Sequence, residues 1–431
     1  MKPGYKLTEV GVIPEDWEVA PLGKYATFRT GPFGSALHQA DYISNGIPVI
    51  NPMHIDDGTI VPSETMTVSA QTANALSDFK LKSGEIVIGR RGDMGRCAVI
   101  REGQAGWLCG TGSMIIRPAD ANADYLQRIL SSRRVITAIE NASVGTTMVN
   151  LNQGTLSGLK IQFPPLPEQT AIATALSDMD ALLGGLDRLI AKKRAIKQAT
   201  MQQLLTAQTR LPGFSGEWEV KQLGNVGKCL RGVSYHGDTD LFPHDTEKSK
   251  RLLRSNNVQD AAVVTTDVQF VNSIRVAEHQ FLQEGDVLIC MANGSKALVG
   301  KAAYFDVTDG FDYTFGAFMG AFRITDDFTH NRFAFYLFQT WAYRQYIANL
   351  LAGSSINNLA PSSIESLEFE FPSIEEQTAI AAVLSDMDAE ITALETRRNK
   401  TRALKQAMMQ ELLTGRTRLV DTAAMQGTIV G

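Results

Sequence analysis

The chain has 431 residues, of which 44% are apolar and 20% are charged, and its formal net charge is −5 at pH 7. This length and composition predict a globular protein of two or three domains with enough apolar residues for a sizeable core. The acidic balance argues against nucleic-acid binding through bulk charge, so a DNA-binding chain of this kind must concentrate its basic residues locally.

Cysteine and histidine usage predicts neither disulfides nor metal. The four cysteines contain no CxxC pair and do not form the framework of a secreted protein, and the six histidines lack the spacing of metal ligands. We also find no signal peptide and no apolar run of 18 residues. We therefore expect a cytoplasmic protein with no membrane span and no metal site.

The first domain is predicted over residues 17–165, after a short lead at residues 1–16. It opens with Trp-Glu-Val at Trp17, and a turn followed by a buried strand is expected at residues 84–88. Residues 124–141 are a helix candidate, and residues 145–150 form a polar turn. This mixture predicts a mixed α/β domain.

Basic residues are concentrated around one turn of this domain. Residues 80–101 contain six basic residues against two acidic ones, and Arg90, Arg91 and Arg96 surround the turn Gly92–Gly95. An Arg-bearing hairpin can enter a DNA groove, where Arg pairs bidentately with guanine or binds phosphate. The alternative is a hairpin exposed only to solvent.

A long amphipathic helix is predicted to follow, within a spacer at residues 166–211. Apolar residues recur at steps of four and three from Ile172 to Ile190, which is the seam of a coiled coil. Leu182, Leu189 and Ile196 lie outside that seam and predict a partner-binding surface.

The second half of the chain repeats this order. The second domain is predicted over residues 212–372 and opens at Trp218, a second helical spacer covers residues 373–419, and a tail follows at residues 420–431. Aligned without a gap, residues 168–211 and 376–419 are identical at 27 of 44 positions. Such a repeat predicts a duplicated architecture. Two separate, ordinary helices remain an alternative.

The predicted fold is therefore mixed α/β, with two globular domains joined by two long antiparallel coiled-coil helices in an internal pseudo-two-fold repeat. Forty helical residues span about 60 Å, longer than a small domain. The sequence near Tyr5 faintly echoes the two helix ends, so the lead is expected to complete a circular repeat.

The predicted DNA-contacting residues cluster in polar loops of both domains. Asn can pair bidentately with adenine, and Thr, Ser and backbone N–H groups suit phosphate. Ordinary turn chemistry is the alternative. A phosphate-loop interpretation of residues 294–301 fails because five residues, not four, separate its glycines. The candidates are Arg29, Ser35, Arg90, Arg91, Arg96, Thr146, Thr147, Asn150, Asn152, Arg231, Ser234, Asn293, Lys296, Lys301, Ser354, Ser355, Asn357 and Asn358.

Taken in order, these motifs resemble the DNA specificity (S) subunit of type I restriction–modification systems. The resemblance covers nearly the whole chain. It rests on Trp-Glu-Val…Leu-Gly at each domain opening, Arg-Arg-Gly…Gly-Arg at residues 90–96, Gly-Thr/Ser…Asn-Leu at residues 145–151 and 353–359, Pro-x-x-x-Glu-Gln at residues 164–169 and 372–377, and Gln-x-Leu-Leu-Thr near each helix end. The second domain departs from it with Met-Ala-Asn-Gly at residues 291–294, so the Arg roles are not transferred there.

The resemblance implies a non-catalytic protein. Each domain would be a target-recognition domain that reads one half of a bipartite, asymmetric DNA site, and the helices would set the spacer. Two methyltransferase (M) subunits would dock and use S-adenosylmethionine, and restriction (R) subunits would add ATP- and Mg²⁺-dependent cleavage. The alternatives are a two-lobed scaffold that does not bind DNA and a self-contained methyltransferase or nuclease.

Overall fold

The computed structural model describes residues 3–34, 36–92, 95–142, 151–352 and 357–420. The chain forms two compact units, one containing residues 1–187 and 396–431 and the other residues 188–395. Each unit therefore contains one α/β domain and one half of each long helix.

The described residues of the first unit contain fourteen strands, four complete helices and the beginning of a fifth helix. The strands are β1 Tyr5–Thr8, β2 Gly11–Pro14, β3 Glu18–Pro21, β4 Ala26–Thr30, β5 Tyr42–Ile43, β6 Ile47–Ile50, β7 Ile55–Asp56, β8 Thr59–Ile60, β9 Thr67–Val68, β10 Ile86–Gly89, β11 Cys97–Val99, β12 Leu108–Cys109, β13 Ser113–Pro118 and β14 Lys160–Phe163. The helices are α1 Ala70–Ala75, α2 Ala123–Leu130, α3 Arg133–Ala142, α4 Gln153–Gly158 and α5 Leu166–Leu204, which continues into the second unit.

An antiparallel sheet of order β11-β10-β13-β4 lies at the centre of this unit. Ile86 and Ile88 of β10 pack with α2 and α3, while Val87, between them, packs on the opposite face with Ile50 and Ile55. Because successive strand residues point to opposite faces, a continuous apolar run is required when both faces are buried. This explains the predicted buried strand at residues 84–88.

The second unit repeats the arrangement. Its strands are β15 Glu219–Gln222, β16 Gly227–Arg231, β17 Leu241–Phe242, β18 Ser249–Leu253, β19 Val258–Gln259, β20 Ala262–Val263, β21 Gln269–Asn272, β22 Val287–Cys290, β23 Ala302–Tyr304, β24 Tyr313–Phe315, β25 Met319–Ile324 and β26 Glu368–Phe371. Its helices are α6 Leu223–Val226, α7 Gly237–Asp240, α8 Asn331–Leu337, α9 Trp341–Ala352, α10 Pro361–Glu365 and the long α11 Ile374–Leu413, which continues into the first unit.

Strand order confirms the internal repeat. The series β16-β25-β22-β23 corresponds to β4-β13-β10-β11, and β24-β18-β21-β17 corresponds to β12-β6-β9-β5. The parallel pair within the second series also recurs, as β12·β6 in one unit and β24·β18 in the other. The interiors that look unrelated in sequence therefore share one topology.

The predicted helix at residues 124–141 is two helices, and so is its counterpart. In the first unit, Ser131 ends α2, and its N–H donates to Gln127 O at 3.0 Å. In the second unit, α8 ends before Phe338. The apolar pattern of the sequence shows neither break, because it does not record a change of helix axis.

The long helices run antiparallel within each unit, as the sequence predicts. In the first unit Asp180 pairs with Lys405 at 2.5 Å and Asp187 with Arg398 at 3.4 Å. In the second unit Lys193 pairs with Glu390 at 2.7 Å, and Lys197 with Asp388. In every pair the residue number rises on one helix as it falls on the other, which is the register of antiparallel helices.

A carboxylate at the first turn of each long helix lies buried. In the first unit Glu168 is fully buried, and it accepts hydrogen bonds from Trp17 Nε1 at 2.9 Å and from Arg418 Nε at 2.6 Å. In the second unit Glu376 accepts from Arg210 Nε at 2.6 Å. Arg418 follows the C-terminal end of α11, and Arg210 follows the C-terminal end of α5. The contact therefore joins the start of one long helix, the segment after the other long helix and the opening of a domain.

The lead does not act as a third helix tail. Tyr5 lies in β1, which pairs with β2 as a hairpin, and its hydroxyl donates to Gly415 O at 2.9 Å. In the first unit the segment after α11 provides Arg418, which pairs with Glu168 as Arg210 pairs with Glu376 in the second unit. The faint echo at Tyr5 therefore does not predict its structure.

Removing either arginine should destabilise its own unit. Arg418→Met leaves Glu168 buried without its cation, which typically costs about 3–5 kcal/mol. We expect faster amide hydrogen exchange in β3, β14 and the start of α5, with little change in the second unit. Arg210→Met should produce the mirror result around Glu376.

Arg416→Met is the control, because Arg416 is largely exposed and an exposed ion pair contributes little. Adding Glu168→Gln to Arg418→Met should recover part of the lost protection. Equal exchange in the Arg418 and Arg416 variants would contradict the role assigned to the buried pair.

Candidate nucleic-acid interface

Four segments meet at one end of the central sheet of the first unit. They are the end of β4, the β10–β11 turn, the residues before β13 and the residues before α4. Arg90 N–H donates to Gly112 O at 2.9 Å, and Leu151 N–H donates to Arg90 O at 3.0 Å. Gln153 Nε2 donates to Thr30 Oγ1 at 3.0 Å. We call this group of segments the first loop cluster.

The predicted basic hairpin is confirmed. Strands β10 and β11 pair antiparallel with Ile88 opposite Cys97, and Gly89 N–H donates to Arg96 O at 2.9 Å. Gly95 has a φ of +81°, and a Cβ there would lie 2.4 Å from Cγ1 of Ile136. Glycine is therefore required both by the turn and by its packing on α3.

The three hairpin arginines lie in different environments. Arg91 and Arg96 are exposed, and Arg96 Nη1 donates to Ile55 O at 3.3 Å. Arg90 is half-buried, and its Nε donates to Leu151 O at 3.1 Å. Burial, together with the charge of Arg91, lowers the pKa of the Arg90 guanidinium. Arg90 thus ties the hairpin to the segment at residue 151, while Arg91 extends into solvent.

Two other candidates of the first unit already have partners within the domain. Arg29 pairs with Asp78 at 2.6 Å and lies over the ring of Phe79, 4.9 Å from its centroid. Asn152 is the N-cap of α4, where its side-chain oxygen accepts from Thr155 N–H at 2.8 Å. Capping uses the oxygen that a base contact would need.

The second unit builds the same cluster from different side chains. Met291 N–H and Ala292 N–H donate to Phe318 O at 2.9 and 3.0 Å, and Leu359 N–H donates to Met291 O at 2.8 Å. Asn293 N–H donates to Asn357 O at 3.3 Å. Met291 therefore stands where Arg90 stands in the first unit. We call this group the second loop cluster.

The described candidates of the second unit lie at this end of its sheet. Arg231, Ser234, Lys301 and Asn358 are exposed. Lys296 Nζ donates to Leu351 O at 3.1 Å, and Asn357 Nδ2 donates to Gly294 O at 3.1 Å. Asn293 donates to Ser255 Oγ and accepts from Ser295 N–H, so its amide is engaged within the loop.

Sequence reasoning missed two contributors to these clusters. Asn51 supports the first cluster, because its side-chain oxygen accepts from Gly112 N–H at 3.2 Å and its own N–H donates to His54 Nδ1 at 3.1 Å. Residues 51–54 thus form a structural turn, which their Asn-Pro pair indicates. Phe318 supplies a carbonyl to the second cluster, and no sequence signal marked it.

Six of the predicted DNA-contacting residues lie outside the described part of the chain. They are Ser35, Thr146, Thr147, Asn150, Ser354 and Ser355. The segments that follow them, at residues 151 and 357, belong to the two clusters.

The predicted partner-binding residues are exposed apolar side chains. In the first unit Leu182 is 40% exposed, and in the second unit Leu189 is 39% and Ile196 40% exposed. Each lies on α5, whose apolar seam is otherwise covered in both units.

Neither a metal centre nor a membrane span is found among the described residues. No group of three or more His, Cys, Asp or Glu side chains is arranged to hold a metal ion. None of the described helices combines the length and apolarity needed to cross a bilayer.

A family model described as type I restriction modification DNA specificity domain matches residues 14–192 and again residues 215–402. The specificity subunit of the StySPI type I restriction enzyme from Salmonella potsdam is 31% identical over 212 residues, 49% of this chain and 43% of that protein. The EcoKI specificity subunit of Escherichia coli K12 is 30% identical over 198 residues, 46% of this chain and 42% of the relative. The matched part thus spans less than half of each.

A full-length match comes from a more distant relative. The MjaVIII specificity subunit of Methanocaldococcus jannaschii is 21% identical over 425 residues, 94% of both chains. The crystal structure of a type I S subunit from M. genitalium superposes with a TM-score of 0.58 at 16% identity, covering 96% of this chain and 99% of that one. A structure from a study of type I R-M complex assembly gives 0.56 at 20% identity, over 94% and 99%.

These likenesses support the fold, and the family match extends over both α/β domains and most of both long helices. The chain belongs to the family of type I restriction modification DNA specificity domains, and it carries two of them.

Proposed function

We propose that this chain is the DNA specificity subunit of a type I restriction–modification complex. Each α/β domain reads one half of a bipartite, asymmetric DNA site through its loop cluster. The observation that carries this proposal is the recurrence of one loop cluster on one topology with unlike side chains. A shared backbone topology is expected when both domains bind the same class of ligand. Different side chains on that backbone are expected when the two domains bind different half-sites.

The two clusters supply donors suited to DNA despite the acidic chain. Each cluster has exposed cations at the end of its sheet. They are Arg91 and Arg96 in the first cluster and Arg231 and Lys301 in the second. Such residues neutralise phosphates or bind base edges in the major groove. Because these cations are concentrated locally, the net charge of −5 does not argue against DNA binding by the clusters.

The chemistry belongs to partner subunits in this proposal. Two methyltransferase subunits would bring S-adenosylmethionine, and restriction subunits would bring ATP and Mg²⁺. The exposed apolar residues on α5 suit a partner, because a helix pair buries only its shared seam. This chain would itself catalyse neither methylation nor cleavage, and the complex would act in the cytoplasm.

Replacing one domain tests the proposal directly. We expect a chain with residues 17–165 exchanged for the equivalent domain of another specificity subunit to change one half-site and keep the other. Methylome sequencing of a host that expresses the hybrid with its methyltransferase subunits measures this. A change in both half-sites would refute independent reading, and unaltered methylation would favour a scaffold that does not bind DNA.

The exposed hairpin cation should contribute to DNA affinity. If Arg91 contacts phosphate, Arg91→Ala weakens all duplexes alike and lowers the slope of log affinity against log salt by about 0.9. If it reads a base, the variant loses about 1–3 kcal/mol and relaxes one position. Lys82→Ala is the control, since Lys82 is also exposed but precedes β10 at its other end. Identical salt slopes and specificity in both variants would contradict the assignment.

Charge on the exposed face of α5 should block assembly. We expect the double variant Leu182→Glu, Leu189→Glu to keep its fold but to co-purify with less methyltransferase subunit, because a desolvated carboxylate at an apolar contact is costly. Leu7→Glu is the control, since Leu7 is an exposed apolar residue of β1 outside α5. Normal subunit stoichiometry in the double variant would exclude this face as the docking surface.

A further inference from the structure

This inference rests on the proposed function and concerns what the second domain recognises. The two loop clusters are equivalent in backbone but differ in the side chains at three equivalent positions. The backbone bonds that place Arg90 against Gly112 in one unit place Met291 against Phe318 in the other. At these positions Met291, Ala292 and Phe318 replace Arg90, Arg91 and Gly112, while exposed cations of the second cluster lie elsewhere, at Arg231 and Lys301.

Phe318 is exposed on a backbone that is held in place. Its side chain is 72% exposed, while its carbonyl accepts two backbone hydrogen bonds and the next residue, Met319, begins the buried strand β25. Covering this exposed ring with an external apolar group would be favourable, because it removes apolar surface from water.

The groups around Phe318 indicate which external group that is. Asn358 is exposed, and its backbone pairs with Ala292, whose N–H donates to the Phe318 carbonyl. Lys301, directly before β23 and separated from β25 by β22, is also exposed. An amide pairs bidentately with adenine, and the apolar group of the same base pair is the 5-methyl of thymine. The amide and the ring therefore both favour an A·T pair.

We propose that Phe318 packs against the thymine 5-methyl of an A·T pair in the half-site read by the second domain. Phe318 is then a determinant of specificity for that half-site, and its discrimination depends on the methyl group. A ring that merely wedged between base pairs would unstack them whatever the substituent at carbon 5.

Removing one methyl group from the DNA distinguishes contact with the thymine methyl from wedging between base pairs. The full chain, co-expressed with its methyltransferase subunit, is titrated with a duplex that carries the mapped site. Each thymine of the second half-site is replaced in turn by deoxyuridine, which lacks only the methyl group. For the unmodified protein we expect one position to lose affinity about fourfold, the value of one buried methyl.

Protein variants then assign that loss to one residue. Phe318→Ala should bind the unsubstituted duplex more weakly and no longer distinguish thymine from deoxyuridine at that position. Phe318→Leu should retain part of the distinction. Phe328→Ala is the matched control, because Phe328 is 71% exposed but follows the opposite end of β25, and it should keep the full fourfold effect.

Each outcome decides the inference. An undiminished deoxyuridine effect in Phe318→Ala, no effect at any thymine, or a second half-site without thymine would overturn it while leaving the proposed function intact. Failure of the unmodified complex to prefer the mapped duplex over an unrelated one would instead refute the proposed function, and this inference with it.

Discussion

The structure depends on a buried carboxylate at the first turn of each long helix. Glu168 and Glu376 are almost entirely removed from water, and each is paired with an arginine that follows the far end of the other helix. A buried charge without its partner is strongly destabilising, so each domain is stable only when one helix starts and the other ends beside it. The contact thereby specifies which segments assemble, and it does so twice with the same residue types. A second carboxylate about three turns further along each helix extends this logic, since Asp180 and Asp388 each bind a lysine of the opposite helix.

On this frame, each loop cluster lies at one end of the central sheet of its unit. Antiparallel strands bring alternate connections to the same edge, so the β10–β11 turn and the segment before β13 meet without being close in sequence. Backbone hydrogen bonds hold those segments together in both units, which leaves their side chains able to vary. This separation explains how Arg90 and Met291 occupy equivalent places. In the proposed function, the shared backbone would place each cluster against DNA, and its side chains would decide which bases are contacted.

Much of the candidate site was predictable, but the use of individual side chains was not. The hairpin at residues 90–96 follows from its glycines and from the buried strand before it. The sequence also marks the polar segments that reach residues 151 and 358. It does not show that Arg29 is occupied by Asp78, that Asn152 caps α4, or that Arg90 bonds to Leu151. The Arg29 and Arg90 contacts depend on partners tens of residues away, because a polar side chain binds whichever group the fold brings within about 3 Å. Phe318 went unnoticed for the same reason, since its exposure is a property of the folded chain.

The sequence by itself determined the duplication, the order of domains and helices, the antiparallel helix pair and the family. These follow from periodicity and from repeated motifs, which are local properties of the chain. Only the tertiary structure decided that two interiors of unlike sequence share one strand order, that the predicted helix after each central sheet is broken in two, and that the lead forms a hairpin. It also decided which polar residues serve the fold and which remain exposed. The physical reason is that burial and hydrogen-bond pairing are set by contacts between distant segments, and a linear pattern does not contain the geometry of those contacts.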